Sequence, residues 1–555
     1  MSKYLRFVGL ALVVMMLMSL TLGVSAQEKV VTFQFGPGDI PSLDPALATD
    51  TSSIQVIQEI FPGLTRLHEV TLELQPGMAD WSLSDDGLVY TFNILQGVPW
   101  VKYNAESGAV EEVTDADGNV RYVTAADFVY GWQRTLDPAT AGDYAYVLAP
   151  WVAGGNAFNS GEGAVEDLGL VALDDYTLQV TASEPAGFLA NIFGMWMAAA
   201  QPSWAIEEYG DFWTEPENIV SYGPFALSEW LHEESATIIK NPFWVGTEAI
   251  PASTIDAVQF LFLEESAGFA NFEAGLLDVT AAPLADLDRI KADPTLSEQL
   301  SVGPGGCTYY YGYNLAKPPF DDARVRRAFS MAIDRQSLID NVLKGGQEPA
   351  FFFTRPNFSA SPTAEMYPQY VIGEDLDVAR GELQSYLDEK GITIDQLPPI
   401  TLMHNESEAH ARIAQAIQQM WAENLGVEVQ IATQEWAVYL QTLREDAPQV
   451  WRLGWCLDYP DPHNFLWDVF HTSTNPRGNW SNAEFDALVD EAKVLIDNDT
   501  RRDLYADAEN ILSNTEAGII PIYYYTSLAM TNPRIERTYS QLGGTQYFEK
   551  WDIKG

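Results

Sequence analysis

The patterning of this chain alternates, and that constrains its fold more than any other feature. Strand-like runs of period two and helix-like runs of period three to four follow one another along the 555 residues, with no internal repeat and no low-complexity linker between them. Val30 to Phe35 reads as a strand closed by Gly36-Pro37-Gly38. Ser53 to Ile60 reads as a helix after a Ser42-Leu43-Asp44-Pro45 turn, and Leu88 to Ile94 as a strand. Ala125 to Leu136 is expected to be a helix stopped by Asp137-Pro138, and Leu168 to Val180 two strands joined at Asp174-Asp175. Residues 104–120 are polar and acidic around an Asp117-Gly118 turn and read as a surface insertion. Ala236 to Lys240 is strand-like.

One long helix is expected after Phe320. Asp321 or Asp322 caps it, Val325, Phe329, Ala332, Ile333, Ile339 and Leu343 recur at helical spacing, and Gly345 ends it. A second runs from Glu408 to Asn424, with Ile413, Ile417, Met420 and Trp421 on one face and Gly426 as its stop. Two more are expected near 482–496 and 501–513, before an apolar strand from Gly518 to Tyr525. Such alternation specifies α/β domains. The lack of linkers fits domains that the chain enters and leaves more than once.

At the N-terminus Lys3 and Arg6 precede an apolar run from Phe7 to Val24, and Val24-Ser25-Ala26 supplies small residues at cleavage spacing. Residues 1–26 are read as a secretory signal peptide, with a retained anchor helix as the alternative. No Cys follows the run, so a lipid anchor is not expected. The formal charge is −48, and removing a leader with two cations and no acid makes it two units more negative. Such a surface repels phosphate backbones, so nucleic acid is not an expected partner. Export carries Cys307 and Cys456 into an oxidising compartment. On composition, one disulfide and two buried thiols are equally good readings.

The chemistry of catalysis is not visible. There is no G-x-S-x-G elbow, no H-E-x-x-H and no phosphate-binding lysine loop. His68, His232, His404, His410, His463 and His471 include no pair at the i, i+4 spacing of a helical metal site. Asp458, Asp461 and His463 read as an Asp- and Pro-rich turn before they read as metal ligands. No enzyme activity, cofactor or metal is expected. Aromatics are abundant: 16 Trp, 25 Tyr and 26 Phe. Several stand beside glycines and charges, as in Tyr309-Tyr310-Tyr311, Trp436 and the run Trp451-Arg452-Leu453-Gly454-Trp455-Cys456-Leu457-Asp458-Tyr459. That run offers an aromatic wall with a cation and an anion, which suits a zwitterionic ligand; a core strand reads equally well.

At these residues the chain resembles the family 5 extracellular solute-binding proteins, and among them the oligopeptide binders of ABC importers. Leu43-Asp44-Pro45, Ala126-Asp127-Phe128-Val129-Tyr130 with Trp132-Gln133-Arg134, Tyr222-Gly223-Pro224-Phe225 and Asn241-Pro242 carry the resemblance in order. Asn314, Lys317 to Phe320, Arg324-Val325-Arg326 and Ala332-Ile333-Asp334-Arg335 complete it. The resemblance implies a periplasmic-binding-protein-like clamshell of two lobes (type II, cluster C) with an additional domain. The expected division is lobe I at 27–61, 203–306 and 526–555, the additional domain at 62–202, and lobe III at 307–525. It implies a monomer secreted to the periplasm or cell surface, an oligopeptide ligand and a permease partner. It also implies a Cys307–Cys456 disulfide.

By the same resemblance Asp458 holds a peptide α-amino group, and Arg452 and His410 lie near ligand carboxylates. Trp436, Trp455, Tyr310 and Tyr144 are pocket aromatics, joined by Phe272. Gly454 and Cys456 pair through their backbone with the peptide, which Thr49 and Thr51 face from the other lobe. The chain departs from the pattern at Gly312, where close relatives have Glu, at Phe272, where they have Tyr, in the side chains of Thr49 to Thr51, and in the 104–120 insertion. Binders of oligosaccharide, dipeptide or metal chelate remain the alternatives within the family. A secreted hydrolase and a sensory module are the alternatives outside it.

Overall fold

The computed structural model describes residues 28–554, apart from 357, 359, 475, 476, 496 and 542–544. The expected signal peptide lies outside the described residues.

An eleven-stranded mixed sheet runs through the molecule. Its main strands, numbered along the chain, are β1 (Val30–Phe35), β2 (Phe225–Leu231), β3 (Ser235–Lys240), β4 (Ala257–Phe262), β5 (Val279–Ala281), β6 (Leu300–Tyr313), β7 (Ile400–Asn405), β8 (Val429–Gln434), β9 (Val450–Cys456) and β10 (Ile519–Thr531). Their spatial order is β2-β3-β4-β1-β5-β10-β6-β9-β7-β8. One half is therefore built from the early strands and the other from the late ones. Only β6 and β10 span both. Their antiparallel ladder pairs Leu300 with Met530 through Pro304 with Thr526, then resumes at Thr308 with Tyr524. Between these points Gly305 and Gly306 interrupt the pairing, a place for the sheet to bend.

A separate four-stranded antiparallel sheet is formed by Ala79–Leu83, Val89–Ile94, Thr177–Thr181 and Leu170–Asp174. The helix Ala125–Leu136 lies beside it, with Phe128, Trp132 and Leu136 fully buried.

Local chemistry sets most element boundaries. Asp50 caps α1 (Thr51–Ile60) by accepting from the amides of Ser52 and Ser53. Ser407 caps a longer helix, Glu408–Leu425, which ends on Gly426 at φ 71°. One expectation needs correction and another is extended. The single helix after Phe320 is broken: it runs from Ala323 to Met331, restarts at Arg335, and ends in a wide turn over Ile339–Leu343. Asp334 starts the second piece by accepting from the Ser337 amide, and Lys344, not Gly345, takes the left-handed position. Residues 104–120 are more than a polar insertion. Val101–Asn104 pairs with Ala109–Glu112, and Val110 is buried against Val101 and Ala226.

Candidate functional site

The site is a string of three cavities with shared walls. The central one, about 330 Å³, is lined by Thr49 and Thr51 on one side and by Gly454, Trp455, Cys456 and Asp458 on the other, with Tyr144, Trp436 and Arg452 around it. The second, about 440 Å³, shares Thr51, Trp436, Arg452 and Tyr525 with it and adds His410. The third, about 750 Å³, shares Thr49, Tyr144, Trp455 and Arg477.

Strand β9 forms one wall. It pairs with β6 from Val450 to Cys456, but its parallel partner β7 covers it only at Val450 and Trp451. At Arg452 the Tyr439 hydroxyl accepts from the amide and donates to the carbonyl, and beyond it the edge from Gly454 to Cys456 lines the central cavity, where backbone groups remain for an extended ligand strand. Cys307 and Cys456 are direct partners in the β6–β9 ladder and are joined as a disulfide.

Among the charges that face these cavities without a counter-ion among the described residues, two lie beside this strand edge, Asp458 and Arg452. Asp458 accepts from the Asn464 side-chain amide at 2.9 Å and from no cation. Burial raises its carboxyl to about 7, against a smaller opposing effect of Asn464. Asn464 is fully used: its Oδ1 accepts from the Asp458 amide at 2.9 Å and the Trp455 indole at 3.3 Å, while its Nδ2 also donates to Asp468 at 3.1 Å. Arg452 is the second charge. It donates to Asn405 Oδ1 at 3.0 Å and to the Tyr525 hydroxyl, and lies over the Tyr309 ring at 4.7 Å. Its buried Nε has no partner. His410, 5.6 Å from the Tyr309 ring, is held well below the usual imidazole range by burial, then by Arg452 and His404. It is therefore neutral, with Nδ1 unpartnered.

Two expected residues are not brought to these cavities. Tyr310 is 1% exposed and packs edge-on against Phe353, Trp451 and Phe470. The strand alternation sends its neighbour Tyr309 toward Arg452 and His410 instead. Phe272 lies on the inner face of a short helix, Glu265–Glu273, in a cluster with Phe269, Leu277, Leu287, Ile290 and Met530. Asp461, once weighed as a metal ligand, caps the helix Pro462–Phe470 and pairs with Arg501 at 2.7 Å.

Other wall residues were not singled out from sequence: Asn405, Arg477, Tyr525 and Thr526. The expected last strand stopped at Tyr525, whereas β10 continues to Thr531.

At the rim of the second cavity two helix N-termini face each other. We label Glu265–Glu273 α2 and Glu408–Leu425 α3. The Glu265 carboxylate accepts from the Glu408 amide at 3.0 Å and the Ser407 hydroxyl at 2.6 Å. The Glu408 carboxylate accepts from the Ser266 amide at 3.1 Å and its hydroxyl at 2.7 Å. Each helix thus supplies an acid to the other's positive end. α2 follows β4 in one half of the sheet, and α3 follows β7 in the other. Glu264 lies beside them, its carboxyl raised to about 7 by burial and then by Glu265 and Glu408.

Comparison with known proteins agrees with this architecture. The model of the bacterial extracellular solute-binding proteins, family 5, matches residues 73–477. The periplasmic oligopeptide-binding protein of Escherichia coli K12 is 31% identical over 516 residues, 92% of this chain and 90% of that one. The structure of the Haemophilus influenzae oligopeptide-binding protein in complex with the peptide RPPGFSPFR aligns at TM-score 0.83 and 26% identity, covering 95% of this chain and 99% of that one. The murein tripeptide-binding protein of Escherichia coli aligns at 0.84 and 29% identity, covering 95% and 99%. An unliganded open form of a murein tripeptide-binding protein, also 29% identical, covering 95% and 98%, reaches only 0.62. The fold is the periplasmic-binding-protein clamshell with an additional domain, and the chain belongs to the family 5 bacterial extracellular solute-binding proteins.

Proposed function

We propose that the protein captures oligopeptides in this cleft outside the cytoplasmic membrane and delivers them to the permease of an ABC importer. One observation carries the reading. A single run of cavities holds a carboxylate without a cation, Asp458, and a guanidinium without an anion, Arg452, along an uncovered strand edge. A zwitterionic, extended ligand satisfies all three. Its ammonium pairs with Asp458, its backbone adds to β9 near Gly454 and Cys456, and a carboxylate meets Arg452 beside neutral His410. Trp436, Trp455 and Tyr144 enclose side chains with little selectivity, while Thr49 and Thr51 close the opposite wall.

The lobes we assign are 27–61 with 203–306 and 526–555, and 307–525, with 62–202 as the additional domain. The break in the β6–β10 ladder between Pro304–Thr526 and Thr308–Tyr524 supports this division. The weaker likeness to an unliganded open form supports a closed arrangement here. Closure is then a hinge at that break, with the ligand contacting both lobes. The peptide ligand and the importer rest on the family's oligopeptide binders. So does a monomeric protein exported by its leader. No helix among the described residues is long and apolar enough to cross a membrane.

Calorimetry with free and N-acetylated forms of the same tri- to pentapeptides tests the reading. Removing the ammonium leaves Asp458 unpaired, and affinity is expected to fall by about 2–5 kcal/mol. Equal affinity for both forms, or tight binding of a neutral oligosaccharide instead, refutes the assignment.

A further inference from the structure

Arg477 is a charge that the peptide reading above does not use. It lies in the wall between the central and third cavities, with Tyr144 and Trp455. The guanidinium is partly buried, its Nε is buried without a partner, and no carboxylate pairs with it among the described residues.

The other charges around the third cavity are accounted for. Asp143 pairs with Arg444 at 2.9 Å, and Asp446 with Lys317 at 2.6 Å. Glu445 is exposed to solvent. Asp468 is 1% exposed and accepts from the Tyr459 hydroxyl and the Asn464 amide. Burial raises its carboxyl to about 8, so near neutral pH it is mostly uncharged. Asp458 is reserved for the ligand's ammonium in the proposed reading. Arg477 is thus left as an uncompensated cation in a chain with 30 Lys and Arg against 78 Asp and Glu. A half-desolvated guanidinium with open donors favours a carboxylate, which it can hold bidentately.

We propose that Arg477 forms a subsite for an acidic side chain, selecting peptides with Glu or Asp close to their amino end. The subsite shares Tyr144 and Trp455 with the cavity that holds Asp458, so the acidic residue is among the first of the peptide. This inference rests on the peptide reading, and its test separates the two.

The experiment is calorimetry on the purified mature protein with alanine-based tetrapeptides carrying Glu or Gln at the first, second or third position. At one of the first two positions the Glu peptide is expected to bind about tenfold tighter than its Gln twin, equivalent to about 1.4 kcal/mol. Arg477→Gln should erase that ratio without moving the melting temperature, and Arg477→Lys should restore part of it. Equal affinity of the twins at every position overturns the inference. So does an unchanged ratio in Arg477→Gln. N-acetylated twins are measured in parallel. If acetylation weakens binding while Glu and Gln remain equal, only the acidic subsite fails. If no peptide binds, or acetylation has no effect, the peptide reading fails and takes the subsite with it.

Discussion

Removing the reciprocal caps at the cavity rim is expected to weaken ligand binding without weakening the fold. Glu265 and Glu408 each accept an amide and a hydroxyl from the opposite helix's first turn. An N-terminal cap contributes about 1 kcal/mol, within a range of about 0.5–2. Both contacts join α2 to α3, which follow strands in opposite halves of the sheet, so the hinge opening proposed above would separate them. The double variant Glu265→Ala, Glu408→Ala should therefore raise the closed state by about 2 kcal/mol relative to the open one. Ligand affinity, which draws on closure, falls about 30-fold. The loss should be the same for every peptide and should appear as faster dissociation. Titration calorimetry and stopped-flow release measure it, and small-angle scattering reports the open fraction. The Tm of the unliganded protein should stay within a degree or two. Affinity within twofold of the parent would refute the latch. A drop in Tm with unchanged affinity would instead make the pair an ordinary structural contact.

Other expectations follow from the site's charges and its packing. Burial raises the Asp458 carboxyl to about 7, and an ammonium ligand requires its ionised form, so binding releases a proton below that pH. Affinity for free-amino peptides should fall about tenfold per unit as pH drops below that point, while Asp458→Asn binds weakly with no such slope. Glu264 acts in the opposite sense. Its raised carboxyl, beside Glu265 and Glu408, means that the closure proposed above takes up a proton. Glu264→Gln should therefore steepen the fall in affinity on the acid side, and an unchanged profile would count against it. At Gly312 an added Cβ would meet the Trp451 ring at 2.1 Å, so Gly312→Ala should cost about 1–3 kcal/mol in urea unfolding. An unaltered midpoint would show that the ring yields. Reduction of the Cys307–Cys456 bond, which spans 149 residues, should lower stability by up to about 5 kcal/mol in the chain-entropy model. Equal urea midpoints with and without reductant would refute that.

Gly312 shows why a departure from the family pattern was visible in sequence and unexplained by it. The resemblance leads to an expectation of Glu at position 312, but the Trp451 side chain folds over its ladder partner from the neighbouring strand and occupies the space a side chain would need. Nothing near Gly312 in the chain announces this, because Trp451 is far away in sequence.

The elements themselves were legible because they depend on near neighbours. Val30–Phe35, Ala125–Leu136 and the helix begun by Ser407 and ended by Gly426 follow from alternation, caps and stops that lie within a few residues. The one long helix expected after Phe320 failed on the same scale: periodicity persisted through Asp334, but that residue capped a new helix. Residue types and motif order also identified the family, and pointed to Asp458, Arg452 and Trp455, which the structure places around one cavity. What the sequence could not say was which side of β6 faces the ligand. Period two separates Tyr309 and Tyr310 onto opposite faces, and only the packing of Phe353 and Phe470 makes Tyr310's face the core. The same limit hid Arg477 and the paired helix ends. A charge becomes available to a ligand by having no counter-ion, and two helix ends cap each other by facing; both are relations between segments far apart in the chain, decided when the two halves of the sheet come together.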